Sequence, residues 1–353
     1  MISKNKLDYI DTLRAIATVG VVLIHISSPL INMNWNINPV FWWIGNFDSA
    51  IVRFAVPLFL MISGVTLIRP KYDFPVFYTK RASRVFIPLL FWLVVYWIFR
   101  AMVLKSDQQP TSLEEWLDWA VQLFLNEGVS KHLWYVYMIF FIYLSIPFWG
   151  KFVYNLSNKY MLILLILWFV LIQWVKDIPF NPYNWSDHFD LRLINYFTYS
   201  FYFVLGFFLS RLNILQIKKT AFPVLGIIYI FTILYAAFGA KYLSDQLGKM
   251  NLNTHGYLHW NTIIQSITVF LMIKMSDIQY KLLINLRNII SNYSYGIYLV
   301  HILVLGILWN NKIYWAIFHP LLAVPFLVVL TIMISYGLIF LLRKIPGGRY
   351  ISG

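Results

Sequence analysis

Residues 7–25 read LDYIDTLRAIATVGVVLIH, an apolar run with an acid and a base near its start and a single histidine deep inside. Wound as an α-helix, the run places Arg14 and His25 on one face to within about 20° and roughly 16 Å apart along the axis. Ionisable residues inside a membrane span are costly and mark function by default. Asp11 precedes Arg14 by three positions and can pair with it. It also sits in the first turn, where a carboxylate suits the helix dipole. A capped helix start with a snorkelling arginine would account for Asp11 and Arg14 alone, but no residue near in sequence pairs with His25.

Composition shows that this helix belongs to a membrane protein. The chain has 353 residues, 60% of them apolar and only 12% charged, with a mean hydropathy of +0.67. Soluble domains carry about 25% charged residues. Ten apolar runs fall at 10–30, 51–69, 85–104, 132–150, 160–176, 194–211, 220–242, 255–275, 291–311 and 319–343. Most approach the roughly 20 residues that cross a bilayer. The expectation is an all-α integral membrane protein with about ten transmembrane helices, residues 1–353 forming a single transmembrane domain with no fused soluble domain. Within 112–128, SLEEWLDWAVQLFLNEG has a helical apolar rhythm with Trp116, Trp119 and Leu123 on one side, as in a short interfacial helix.

The net charge of +14 is spread between apolar runs rather than striped along one face, which argues against nucleic acid. With the N-terminus inside, eighteen Lys and Arg fall in cytoplasmic segments and seven in outer loops. That excess places both termini on the inner side of a multi-pass membrane protein. The opening MISKNKLDYIDT has no small-residue cleavage site before His25, so the first span reads as retained rather than as a signal peptide. Cysteine is absent. Disulfides, thiolate metal sites and thioester intermediates on the protein are therefore excluded.

A second constellation lies at 69–92, RPKYDFPVFYTKRASRVFIPLLFW. Its RASR core sets Arg81 and Arg84 one turn apart at an expected helix start. Two such guanidiniums make a fork for phosphate oxygens, and helix-start amides would add to it. Lys71 and Lys80 need no explanation beyond the positive-inside bias.

Five segments in order, DTLRAIATVGVVLIH (11–25), VPLFLMISGVTL (56–67), RASR followed by Pro88, HLWYVYMIFFIYL (132–144) and SYGIYLVH (294–301), resemble the acyltransferase-3 family of integral membrane acyltransferases. Within it the likeness runs toward single-domain O-acetyltransferases of bacterial surface polysaccharides, of the enterobacterial common antigen kind. The resemblance implies acetyl-CoA or another acyl-CoA as cytoplasmic donor and a hydroxyl of a glycan or lipid-linked glycan as acceptor. Arg81 and Arg84, with Arg14, would hold the phosphates of CoA, and His25 would be the catalytic histidine. An extended pantetheine arm running outward along the first helix would then bring the thioester to His25. Larger members carry an extracytoplasmic esterase-like domain. Such a domain would here be a separate partner protein.

Transfer to an alcohol needs a base for its proton and donors for the oxyanion. A neutral His25 can act as that base, or can carry the acyl group itself. His301, with Tyr298 one turn before it, reads either as a buried helix-to-helix contact or as a partner that orients His25. His132 and Trp134 are secondary candidates at the outer face, where a tryptophan also serves as an interfacial anchor. Ser63 and Gly64 read as a close-packing pair. His188, His255, His259 and His319 are dispersed, and no metal is expected. Eleven tryptophans cluster toward the outer side, Trp42 and Trp43 among them, which suggests an outer cleft for sugar rings. The rival reading is a transporter or exporter of polysaccharide or lipid-linked glycan. Acidic residues that map only to loops and span ends weigh against it.

Overall fold

The computed structural model of the chain describes residues 8–103, 112–122, 130–175, 189–214 and 218–353. Of the positions named above, Leu123 and His188 lie outside these ranges. Among the described residues every regular element is helical. Seven helices are long and apolar enough to cross a membrane: Asp8–Asn34, Pro39–Leu67, Phe74–Val103, Lys131–Asn155, Thr220–Leu247, Lys281–Asn310 and Pro320–Leu342. Helices α8 (Asn158–Val175), α9 (Phe189–Arg211) and α11 (Trp260–Met275) stand where further spans were expected but fall outside that set. The α11 helix has 16 residues and buries Asn261, Thr262, Gln265, Ser266 and Thr268.

The outside of the bundle is apolar. Leu167, Ile227, Phe231, Leu321, Leu322 and Met333 are all exposed, whereas hydroxyls, amides and imidazoles are buried. A bilayer imposes this arrangement, because lipid tails accept apolar side chains while polar groups must find partners inside.

Helix α1 (Asp8–Asn34) starts with Asp8 and Asp11 in its first turn. The next span is broken. Helix α2 (Pro39–Ile51) opens on Pro39 with the Asn38 side chain capping Phe41 N–H at 3.2 Å, and it stops three residues before α3 (Ala55–Leu67). Pro57 explains the break. A proline has no N–H to give the carbonyl four residues back, and its ring clashes with it. That carbonyl belongs to Arg53. Gln265 of α11 bridges the gap, accepting from Phe54 N–H at 3.0 Å and donating to the Ala50 carbonyl at 2.9 Å. The expected second span, 51–69, is thus only the later half of this element. Asp48 consequently lies inside a span, contrary to the expectation that all acids sit in loops or at span ends.

Helices α4 (Phe74–Arg81) and α5 (Ile87–Val103) are joined without interruption by a π-helical turn, Ala82–Phe86. The helix begins at Phe74, where Asp73 caps Val76 N–H. Arg81 therefore ends α4 and Arg84 lies within the π turn of a continuous helix rather than at a helix start, so free amides do not join them as expected. Helix α6 (Leu113–Gln122) sets Trp116 and Trp119 against Trp97 of α5, with centroids 5.6 and 6.1 Å away.

Helix α7 (Trp134–Asn155) follows a short 3-10 turn at Lys131–Leu133. The bundle continues through α10 (Lys218–Leu247), α12 (Lys281–Asn310), α13 (Pro320–Leu342) and α14 (Gly348–Ile351). The expected close packing at Ser63–Gly64 is present. A Cβ on Gly64 would lie 2.0 Å from the Phe203 carbonyl oxygen of α9, and one on Gly206 would lie 2.3 Å from that of Met61. Basic side chains tie helix termini together at one end of the bundle, here the basic end. Lys274 Nζ donates to the carbonyls of Leu209, Ser210 and Leu212, and Arg211 Nη1 donates to that of Leu156.

Candidate active site

A cavity of about 690 Å³ opens at the basic end. Arg14 from α1, Arg81 and Arg84 from the π turn, and Arg349 from α14 all line it, together with Ser63, Thr66, Ser83, Tyr143, Ser294 and Tyr295. The three arginines expected to act together do converge there. Among the described residues Arg14 alone of the four is paired with an acid. Its Nη1 donates to Asp11 Oδ1 at 2.9 Å and to Ser291 Oγ at 3.0 Å, and the Ser291 hydroxyl donates to the same carboxylate oxygen at 2.7 Å. Asp11 thus orients Arg14 through a three-membered network rather than only capping α1.

The Arg81 guanidinium lies 5.5 Å from both the Phe77 and Tyr143 ring centroids, and its Nε is buried without a partner. Among the described residues no carboxylate pairs with Arg81, Arg84 or Arg349. Uncompensated guanidiniums around a concave site are the chemistry that receives a polyphosphate.

Arg349 was not singled out by sequence, where it counted only as one more positive charge near a cytoplasmic end. Tertiary bonds bring it to the cavity: Trp92 Nε1 donates to the Ile351 carbonyl at 3.0 Å, and Arg343 Nη2 to that of Gly353 at 2.7 Å. A side chain on Gly296 would collide with the Ser352 carbonyl, 2.5 Å from an added Cβ. The SYGIY stretch is thus shaped to let this segment fold back.

Further into the bundle three histidines meet. The ring of His25 lies 5.1 Å from that of His301 and 6.2 Å from that of His132, and His132 and His301 are 5.3 Å apart. His301 Nδ1 donates to the Tyr298 carbonyl at 2.6 Å, so a neutral His301 keeps its lone pair on Nε2. That Nε2 and the Nε2 of His132 are buried without partners. His132 Nδ1 shares a 2.7 Å hydrogen bond with Ser130 Oγ. His25 takes no hydrogen bond among the described residues. Three imidazoles whose rings meet, two of them with a buried and unpartnered Nε2, form a cluster chemically able to move protons.

Tyr298 joins the two regions. It lines the basic cavity, its ring lies 5.6 Å from that of His132 and 5.7 Å from that of His301, and its hydroxyl donates to the His132 carbonyl. Tyr135 also lines the cavity and packs 5.5 Å from Tyr298. Arg14 lines the cavity and His25 does not. The cavity therefore stops short of His25, and Tyr298 stands between its lining and the rings of His132 and His301. Tyr96 closes the third side of the histidines. Its ring lies 5.1 Å from His132, and its hydroxyl bridges the Leu299 carbonyl and Leu303 N–H of α12.

Trp134, from the same turn as His132, stacks on Tyr257 with centroids 5.9 Å apart and planes 24° apart. Trp42, one of the tryptophans expected at an outer cleft, is only 2% exposed and packs against Trp35 and Trp43, while Trp43 is half-buried. His255 is buried and bonds Asn46 Oδ1 at 2.9 Å, and His259 bonds Asn261 at 2.5 Å, which makes both part of the packing. His319 caps α13 through Leu321 N–H. Ser63 bonds the Phe59 carbonyl and the Tyr143 hydroxyl.

These features describe an integral membrane protein with a polybasic pocket at one end and a histidine centre deeper inside. The acyltransferase-3 family model, described as an acyltransferase domain, matches residues 7–340, and the chain belongs to that family. It is a membrane acyltransferase in the general sense that membership carries. No curated protein and no solved structure matches it.

Proposed function

We propose that the protein transfers an acyl group, acetyl in the first instance, from cytoplasmic acyl-CoA to a hydroxyl of a cell-surface glycan or its lipid-linked precursor. The observation that carries this reading is the cavity of about 690 Å³ ringed by Arg14, Arg81, Arg84 and Arg349, with His25, His132 and His301 beyond its inner wall. The excess of Lys and Arg in the segments at that end supports its facing the cytoplasm, with both termini inside and the protein in the inner membrane.

In this reading the guanidiniums hold the diphosphate and 3′-phosphate of CoA, and Asp11 and Ser291 keep Arg14 turned toward them. The pantetheine arm points toward Tyr135 and Tyr298, whose displacement admits the thioester to the histidines. His25 removes the acceptor's hydroxyl proton as the new ester bond forms and the CoA thiolate leaves. Alternatively, His25 first takes the acyl group onto its ring nitrogen and then gives it to the alcohol. His301, fixed by its bond to the Tyr298 carbonyl, presents Nε2 to the proton that His25 must pass on. The motifs shared with single-domain surface-polysaccharide O-acetyltransferases support a glycan acceptor in the bacterial envelope. A separate extracytoplasmic protein would act as partner where a later carrier step is needed.

Acetyl-CoA binding to the detergent-purified protein tests this reading, alongside the Arg81→Ala/Arg84→Ala variant. Saturable binding that weakens about 100-fold in the variant supports it, at about 1.4 kcal/mol for each ten-fold step. The transporter reading gains one observation, the buried and unpartnered Oδ2 of Asp48 inside the broken span. A folded sample that binds no acyl-CoA would put that reading first.

A further inference from the structure

The break between α2 and α3 leaves Arg53 at the middle of a membrane-spanning element. Its guanidinium lies 5.1 Å from the Tyr257 ring centroid, Nη1 reaches the Tyr257 hydroxyl at 3.4 Å, and Nε is buried with no acceptor. Among the described residues no carboxylate pairs with it. A phenol and a ring face support a guanidinium but do not neutralise it. An uncompensated cation inside an apolar bundle is expensive to keep, and discontinuous membrane helices recur where anionic groups of substrates are bound.

The surroundings locate the missing anion. Arg53 does not line the polybasic cavity, so donor phosphates held there do not supply it. Through Tyr257 it borders instead the turn that carries His132. Tyr257, which carries it, stacks on Trp134, two residues beyond His132, and both rings are half-buried. The segment bearing Tyr257 is fixed from several sides: the Tyr202 hydroxyl donates to the Tyr257 carbonyl, and Gln173 Nε2 to that of Leu258 at 2.9 Å. A rigid aromatic shelf with a bare guanidinium at one edge and a histidine centre nearby suits a sugar ring that carries an acid.

We propose that Arg53, on the Tyr257–Trp134 shelf, binds an acidic group of the acceptor, so that the hydroxyl presented to His25 belongs to a sugar bearing a carboxylate or a phosphate. This rests on the acyl-transfer reading above and adds the class of acceptor. No covalent step involves Arg53; it selects and orients.

Three matched probes test it by calorimetry on the purified full chain: methyl β-glucoside, methyl β-glucuronide and methyl β-glucoside 6-phosphate. The native protein should bind at least one anionic probe about ten-fold more tightly than the neutral one, a margin of about 1.4 kcal/mol. Arg53→Gln should erase the margin and Arg53→Lys should keep part of it, with acetyl-CoA affinity unchanged in both. Equal binding of the three probes by the native protein overturns the proposal whether or not the variants fold. So does a margin that survives Arg53→Gln, or a variant that slows transfer to every acceptor without altering probe binding, which would make Arg53 a stabiliser of the reaction's oxyanion. Normal acyl-CoA binding without probe discrimination defeats this inference alone. Probe discrimination without acyl-CoA binding defeats the acyl-transfer reading instead.

Discussion

His25 of α1 and His301 of α12 bring their rings to within 5.1 Å, and of this pair only His301 has a fixed hydrogen bond. The Tyr298 carbonyl holds the proton of His301 on Nδ1 and leaves Nε2 open, while His25 stays unbound. One imidazole is thus oriented and the other is free to engage a substrate.

Replacing His301 with Ala should therefore lower turnover about 100-fold, the usual scale of a misplaced proton-transfer partner. Acetyl-CoA affinity should stay within two-fold, because His301 does not line the polybasic cavity. Steady-state kinetics and calorimetry on one preparation measure both. Equal losses in turnover and affinity would make His301 a packing residue.

Arg349→Ala should weaken acetyl-CoA binding about ten-fold, a typical loss for one charge-assisted contact. Because Arg349 is exposed, the difference should shrink as salt rises toward 1 M. Titrations at two ionic strengths check this. An unchanged affinity at low salt would remove Arg349 from the donor site.

Gly64→Ala should destabilise the fold by about 1–3 kcal/mol, the range of a forced overpacking, since the added carbon meets the Phe203 carbonyl at 2.0 Å. The midpoint of thermal unfolding in detergent reports it. Gly226→Ala, inside α10 with nothing within 4 Å of the added carbon, should not lower that midpoint and should raise it slightly, because alanine favours a helix interior over glycine by about 0.5–1 kcal/mol.

Gln265→Leu should cost about 2–4 kcal/mol by stranding Phe54 N–H and the Ala50 carbonyl at the helix break. Trp42→Ala should likewise act on stability, by about 3–5 kcal/mol, and not on acceptor use. A Trp42 variant of native stability that fails only with the acceptor would restore an outer cleft at that position.

Much of the site could be read from consecutive spacing. Asp11, Arg14 and His25 share one helix, and RASR is four residues long, so each needed only helical periodicity. The motifs SYGIYLVH and HLWYVY pointed to His301 and His132. Their meeting with His25 joins three distant helices, which no local pattern encodes. The first half of the broken span was missed because Asn46, Asp48 and Ser49 interrupt its apolar run. Asn46 is spent on the Ala237 carbonyl and on His255, bonds that exist only once the bundle forms. The π turn hides because its hydrogen bonds leave no composition signal. Arg53 falls near the start of the expected span 51–69, where a basic residue is ordinary, and only the break beside Pro57 sets it in the middle of Pro39–Leu67.

If the proposed function holds, acyl groups pass from CoA to glycan through His25. Inverted membrane vesicles carrying the native protein, its His25→Ala variant or neither, supplied with acetyl-labelled acetyl-CoA, test it most directly. Label in the glycan fraction with the native protein only, while the purified variant still binds acetyl-CoA, is the predicted result. Label incorporated equally by the His25→Ala vesicles, or by none of the three, would contradict the account.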